Sequence, residues 1–384
     1  MTQEMKIINF MGIRKFTSAT SIILVLVSIF SIAFFGLKGG LDFTGGTQLE
    51  VLFDQPADLN KVRLVLEEKK LKSPVAVLFG SDKQVMIRTQ DEMKAKGQAL
   101  IAEKITAAGG VLESIERPSR EYEGFADVLV IANLNSETLQ QKAVISEADF
   151  GRVQYAQRDG KTLAVLENSL DSVYLKELLV DMEVATGAKI ELRSSEFVGP
   201  QIGDELRDQG GLGLLTAFVL VFLYVAVQFQ WKFSVGAIAA LCHDVIITLG
   251  FFAIFQWDFD LTVLAAILAL IGYSINDTIV IYDRIRENFR IMRKTDALEI
   301  INVSLTQTLG RSIMTSGTTL LVLVCLFLFG GELLRGFSTA LIIGILVGTY
   351  SSTYIAAHIT AALDVSKEDL MPKEKEGAEL DEAP

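Results

Sequence analysis

Residues that bind metals or carry redox chemistry are scarce in this chain: of 384 residues only two are cysteine and two are histidine. Cys242 and Cys325 each lie inside an apolar run, where a thiol behaves as a small hydrophobe, so neither a disulfide framework nor a thiolate zinc site is expected. With His243 and His358 as the sole imidazoles, a nitrogen and sulfur metal centre lacks its ligands before geometry is considered. No metal and no other cofactor is expected. Six prolines and no low-complexity tract leave little room for disorder outside an acidic end after about Asp364. Lysine and arginine total 35 against 47 acids, a formal charge of -12, and no basic stripe exists that would neutralise a row of phosphates. Nucleic acid is thereby excluded as a partner. What the chain has is apolar residues, 50% against 21% charged, a balance that points to lipid.

Six apolar runs, at 16–37, 212–229, 233–255, 261–282, 313–329 and 336–363, reach or approach the roughly 20 residues a helix needs to cross a bilayer. The first is too long for the apolar part of a cleavable signal and no small-x-small site accompanies it, so it is expected to stay as an anchor. Lys6, Arg14 and Lys15 precede it. The segment 283–311 carries Arg284, Arg286, Arg290, Arg293, Lys294 and Arg311, whereas 256–260 has no lysine or arginine. Since cytoplasmic loops hold the positive excess, residues 1–15, the basic loop 283–311 and the acidic tail 364–384 are expected in the cytoplasm. The stretch 38–211 is then the outer, periplasmic domain.

Within that domain, 47–53 alternates like a strand, 58–71 repeats at helical spacing, and 75–79 and 85–89 flank a Gly80-Ser81-Asp82 turn before a helix at 91–108 and a strand at 111–117. The order recurs: strand 127–132, helix 136–148, strands 152–157 and 162–166 around Arg158-Asp159-Gly160, helix 170–186, strand 189–193. Two βαββαβ, ferredoxin-like α+β modules in tandem are expected, at about 45–118 and 125–197; the alternative is one larger sheet. Acids and bases are interleaved along them as on solvated faces, and no nucleophile, base and orienting group share a plausible spacing. A binding or moving part is expected, not an enzyme. The stretch from Lys38 to Gly46 is glycine-rich but lacks the spacing of a phosphate loop, and reads as a tight turn from helix to strand.

An ionisable side chain inside a membrane helix costs about 2.5–3.5 kcal/mol on insertion scales, so each one invites a functional reading. Asp277 is the deepest case, about two turns from the end of the fourth run if that end is near Asp283. Arg311 opens the fifth run from the same side and forms a stripe with Thr315, Thr318 and Thr319, which places the two charges where they could meet. A carboxylate that exchanges an arginine for a proton or sodium ion is a natural coupling element. Asp244 and His243 in the third run extend such a relay, with Asn276 as a neutral hydrogen-bonding group, or else all three are polar glue between helices. His358 reads as an interfacial anchor, and Gly344, Gly348 and Ser352 as a packing seam.

The motifs Leu41-Asp-Phe-Thr-Gly-Gly46, Phe197-Val-Gly-Pro-Gln-Ile-Gly203, His243-Asp-Val-Ile-Ile-Thr-Leu-Gly250, Gly272-Tyr-Ser-Ile-Asn-Asp-Thr278, Asp283-Arg-Ile-Arg-Glu-Asn288, Ser304-Leu-Thr-Gln-Thr-Leu309 and Thr315-Ser-Gly-Thr-Thr319 span nearly the whole membrane portion. Together they resemble the SecF branch of the SecD/SecF family, within the RND superfamily. The resemblance marks Asp42, Gly45, Gly46, Gly199, Pro200 and Gly203 as family motif positions, and Asp277 and Arg311 as the charged pair of ion coupling. It implies an accessory subunit of Sec-dependent export that pairs with SecD, associates with the SecYEG channel and helps draw precursor polypeptides outward on an ion gradient. It leaves open whether the ion is proton or sodium. Family members usually carry one small outer module, so the second is a departure on which the resemblance is silent. The rival is a small-molecule efflux transporter; such pumps carry two six-helix units, so a chain with one would have to act as a homo-oligomer.

Overall fold

The computed structural model describes residues 7–142, 144–229, 231–292, 295–363 and 365. Of the features read from sequence, Lys6, Arg293, Lys294 and all of the acidic tail except Val365 lie outside the described residues. The chain forms two compact units, Met1–Gly40 with Glu205–Pro384, and Leu41–Asp204. In chain order, α1 (Arg14–Phe35) and strand β1 (Lys38–Gly39) precede the second unit. That unit contains α2 (Leu41–Thr44), β2 (Gly46–Phe53), α3 (Leu59–Glu68), β3 (Val75–Phe79), β4 (Ser81–Thr89), α4 (Met93–Ala107), β5 (Val111–Glu116), β6 (Asp127–Ala132), α5 (Ser136–Gln141), α6 (Glu147–Phe150), β7 (Val153–Arg158), β8 (Lys161–Leu166), α7 (Leu170–Thr186) and β9 (Ile190–Val198). The chain continues through α8 (Pro200–Gln228), α9 (Trp231–Phe255), β10 (Asp258–Phe259), α10 (Leu261–Ile291), α11 (Ala297–Phe329), α12 (Gly331–Ser351), a π-helical turn at Ser352–Ala356, and α13 (Ala357–Ala362).

Local chemistry accounts for the elements of the Leu41–Asp204 unit. Asp58 caps α3 by accepting from the amides of Asn60 and Lys61, and Val62, Val65 and Leu66 put one buried stripe beneath the sheet. Leu170, Val173, Tyr174, Leu178 and Met182 do the same for α7, which Gly187 ends at φ +73°. In β2, Leu49, Val51 and Phe53 alternate into the core.

The pairing of the strands departs from the tandem order expected at 45–118 and 125–197. There are two four-stranded antiparallel sheets, β3-β4-β2-β9 and β5-β6-β8-β7. The first half of the domain is thus closed by β9 against β2, and β5 is delivered to β6 in the second sheet. The helices follow their strands. Tyr174, Leu175, Leu178 and Met182 of α7 join the core of the first sheet, while Ile101 and Ile105 of α4 join that of the second. The two halves have exchanged their closing helix–strand units. The exchanged helices cross where a Cβ on Gly97 would stand 2.1 Å from the Leu170 carbonyl oxygen, so only glycine fits.

In the other unit, six helices among the described residues are long and apolar enough to cross a membrane. Those beginning at Trp231, Leu261 and Leu333 form its centre, around fully buried Tyr282, Phe233 and Phe252. Close approach is built in: a Cβ on Gly250 would lie 2.3 Å from Ser28 on α1, and one on Gly344 2.4 Å from Leu270 on α10, which accounts for the glycine seam of the last helix. Two expectations are corrected here. The segment 283–311 is not a loop: α10 continues to Ile291 and α11 already begins at Ala297, where Asp296 accepts from the Leu298 amide as its cap. Asp277 therefore stands about four turns from the end of α10 instead of about two, and Arg311 about four turns into α11 instead of at its opening.

Candidate functional site

Two carboxylates, Asp244 and Asp277, are buried among serines and threonines of α9, α10, α11 and α12. Asp277 is 8% exposed; its Oδ1 accepts a hydrogen bond from Ser312 at 2.5 Å and its Oδ2 is buried with no hydrogen-bond partner among the described residues. Leaving a buried acceptor unsatisfied costs about 1–3 kcal/mol, more for a charged one. Below it in sequence, Ser316 shares a hydrogen bond of 2.7 Å with Thr349 and accepts from Tyr273 at 3.4 Å.

Asp244 has the opposite character. It is fully buried and its Oδ2 accepts from Ser274 at 2.6 Å and from Ser351 at 2.8 Å, tying α9 to α10 and α12. Its Oδ1 lies 3.0 Å from Nδ1 of His243, an arrangement in which an ionised carboxylate draws the ring hydrogen onto Nδ1. The imidazole Nε2 is buried and unpartnered. Space for this network comes from Gly348, whose Cβ would press on Asp244 Oδ2 and Ser274 Oγ at 3.3 and 3.4 Å. Ser352, the next residue after Ser351, starts the π-helical turn and meets Thr278 of α10 at 2.9 Å. An extra residue per turn at this point lets two consecutive serines both reach neighbouring helices, and π-turns recur where a helix serves a site.

Two residues named from the sequence lie at the margin of these contacts. Arg311 makes no ion pair with Asp277 among the described residues, although its charge still acts on that carboxylate, and its stripe with Thr315 and Thr318 faces outward. One residue turns a helix by about 100°, and the inward side of α11 carries Ser304, Thr308, Ser312 and Ser316 instead. Asn276 is exposed, on the far side of α10 from Ser274 and Thr278. Reasoning from charge does not find Ser274, Ser312 or Ser351, and takes Ser352 only as part of a packing seam; a weak signal exists for Ser312, which recurs with Ser304, Thr308 and Ser316 at four-residue spacing.

The motif residues of the Leu41–Asp204 unit also converge. Gly45 and Gly46 adopt φ of +71° and +136°, and a Cβ on them would meet Pro200 at 2.9 Å and the Thr89 carbonyl oxygen at 2.2 Å. Gly203 leaves 3.0 Å to the Phe43 backbone, and the Gly199 carbonyl accepts from the amides of Ile202 and Gly203 as α8 starts. Asp42 lies in the helical turn α2 just before this knot. These glycines permit backbone to touch backbone, a structural role. Among the described residues no group of three or more histidines, cysteines and acids is placed to hold a metal.

Comparison with known proteins bears on all of this. The family model described as protein export membrane protein SecD/SecF, C-terminal, matches residues 179–366, and that of the SecD/SecF GG motif matches 30–57, around Gly45 and Gly46. A protein translocase subunit SecF of Vibrio alginolyticus is 40% identical over 381 residues, 99% of this chain and 98% of that one. One of Pseudomonas aeruginosa is 39% identical across 95% and 94%. The second half of the Leu41–Asp204 unit, set apart above as a departure, is thus within the alignment to these relatives. A crystal structure of SecDF, a translocon-associated membrane protein from Thermus thermophilus, superposes with a TM-score of 0.65 at 28% identity, covering 95% of this chain; this chain spans 40% of that longer one. A SecDF structure in the super-membrane-facing form gives 0.56 and 29% identity, over 93% of this chain and 39% of that one. With six apolar helices, an α+β unit between the first two, and full-length relatives carrying that name, the chain is a multi-pass membrane protein and belongs to the SecF family of protein-export membrane proteins.

Proposed function

We propose that this chain is an accessory subunit of the Sec protein translocase that acts with SecD, uses the ion gradient across the inner membrane, and promotes export of precursor polypeptides through SecYEG. Family membership supports the translocase role. The observation that carries the coupling is Asp277: a buried carboxylate with one oxygen satisfied by Ser312 and the other left open has room for one more proton or cation. In this reading Asp277 is the exchanging group, and Arg311 is its counter-charge in another state of the hairpin. Asp244, whose oxygens are already occupied by Ser274, Ser351 and His243, holds α9, α10 and α12 in register and passes the change on. The chain catalyses no reaction. The Leu41–Asp204 unit lies on the periplasmic side, with both termini in the cytoplasm, and works as a binding or moving part.

Gentle purification of the tagged protein from its own cells, followed by mass spectrometry of what accompanies it, tests the assignment. Recovery of SecD and the SecYEG channel is the expected result. Recovery of this chain alone as a homo-oligomer would overturn it in favour of a small-molecule pump of the RND type.

A further inference from the structure

We propose that the cavity at the Arg14 end of the helix bundle binds the headgroup of an aminophospholipid, a group carrying both a phosphodiester and a primary ammonium. The cavity measures about 650 Å³ and is lined by Arg14 at the start of α1, by Thr295, Asp296 and Leu298 at the start of α11, and by His358 of α13. Its charged groups are of both signs, and they ignore each other. Among the described residues, the Arg14 guanidinium makes no ion pair with Asp296 and has no hydrogen-bond acceptor, although both line the same space. The Nδ1 of His358 is buried without a partner. Asp296 uses Oδ2 to cap α11 at the Leu298 amide, and among the described residues no donor is found on Oδ1.

Opposite charges that share a cavity without meeting suit a ligand that bridges them. A phosphodiester takes the Arg14 guanidinium and a hydrogen from His358, as charge-assisted hydrogen bonds require, while an ammonium takes the Asp296 carboxylate. Asp296 speaks against a purely anionic headgroup, and a quaternary ammonium has no hydrogen to donate to it. The rest of the lining, including Phe289, Ile301 and Val365, is apolar and suits the glycerol and first methylenes of the lipid. Depth agrees as well: Arg14 stands two residues before Phe16, where the first apolar run begins, which is headgroup level.

The test is native mass spectrometry of the full chain in detergent, offered phosphatidylethanolamine, phosphatidylcholine and phosphatidylglycerol of one acyl composition, or inorganic phosphate alone. Phosphatidylethanolamine is expected to be retained about tenfold better than either other lipid, a margin of one good charged hydrogen bond. Arg14→Gln should lower its retention, and Asp296→Asn, which still caps a helix, should abolish its advantage over phosphatidylcholine. Arg286→Gln, a basic residue that does not line the cavity, should change nothing. Where Arg14→Gln fails to fold, Leu298→Trp fills the cavity with the charges intact and should lower retention of all three lipids. Equal retention of the three lipids, retention indifferent to these substitutions, or inorganic phosphate held in place of lipid would each overturn the proposal.

Discussion

Ser312 donates to Asp277 Oδ1 across the α10–α11 contact at 2.5 Å, and among the described residues no donor reaches Oδ2. If the open oxygen is where the ion binds, Asp277→Asn should abolish coupling and leave the fold alone, because an amide still accepts from Ser312 and carries no charge to bury. The expected outcome is a drop in export rate of about tenfold or more, with melting temperature unchanged or raised. Export of a reporter precursor into inverted vesicles, with and without an imposed ion gradient, measures it. A variant that keeps its gradient dependence would remove Asp277 from the mechanism.

Ser312→Ala should do the reverse. It leaves both carboxylate oxygens without a donor, and destabilises the hairpin by about 1–3 kcal/mol. Ser312→Thr keeps the hydroxyl and should lose less. Thermal unfolding in detergent ranks the three proteins, and equal melting temperatures for Ala and Ser would mean that Asp277 finds another donor at no cost.

How far the sequence carried depends on whether a feature is local. Helix α7 is legible at both ends because its stripe and Gly187 lie within the segment itself. The destination of β5 and β9 is not, since strands and helices with the same periodicities make either a tandem pair or an exchanged one; only the long-range pairing differs. In the membrane, hydropathy singles out Asp277 and Asp244 because a charge in an apolar run is conspicuous. The choice of Ser312 over Arg311 as neighbour hangs on a 100° rotation, which a run of apolar residues does not record. The π-turn at Ser352 has no sequence signature at all.

At the end of α3, Lys69 bridges to α7 through Asp181 at 2.5 Å and Glu177 at 2.8 Å. Partial burial alone pulls its pKa down, but the hydrogen bonds to Asp181 and Glu177 outweigh that, and the net direction is up. A lysine raised above its value in the unfolded chain contributes stability that is complete below lysine's ordinary pKa and is lost as pH rises through the raised one. Both acids are over a third exposed or close to it, so water screens the pairs and about 1 kcal/mol or less is at stake. Lys69→Met should speed hydrogen exchange in α7 at neutral pH and converge with the parent in strong alkali. No difference at neutral pH would assign the contact no energetic weight.

The exchange of closing units predicts that the two sheets fail together. Helix α4 begins beside the first core at Met93 and ends in the second at Ile105, while α7 begins in the second at Leu170 and ends in the first at Met182. Gly97 is the point at which they pass, with 2.1 Å between its absent Cβ and the Leu170 carbonyl oxygen. Gly97→Ala must push the helices apart, at a cost of about 1–3 kcal/mol for overpacking, offset in small part by the better helix propensity of alanine. Had the modules been tandem, a lesion in α4 would loosen β2, β3 and β4 and spare β6 to β8. With the units exchanged, amide exchange should quicken in β9 and in β5 alike, because each strand is held to its sheet through the helix that has been displaced. Hydrogen exchange read by mass spectrometry on the full chain separates the two cases, and loss of protection in one sheet alone would show that the crossing does not couple them.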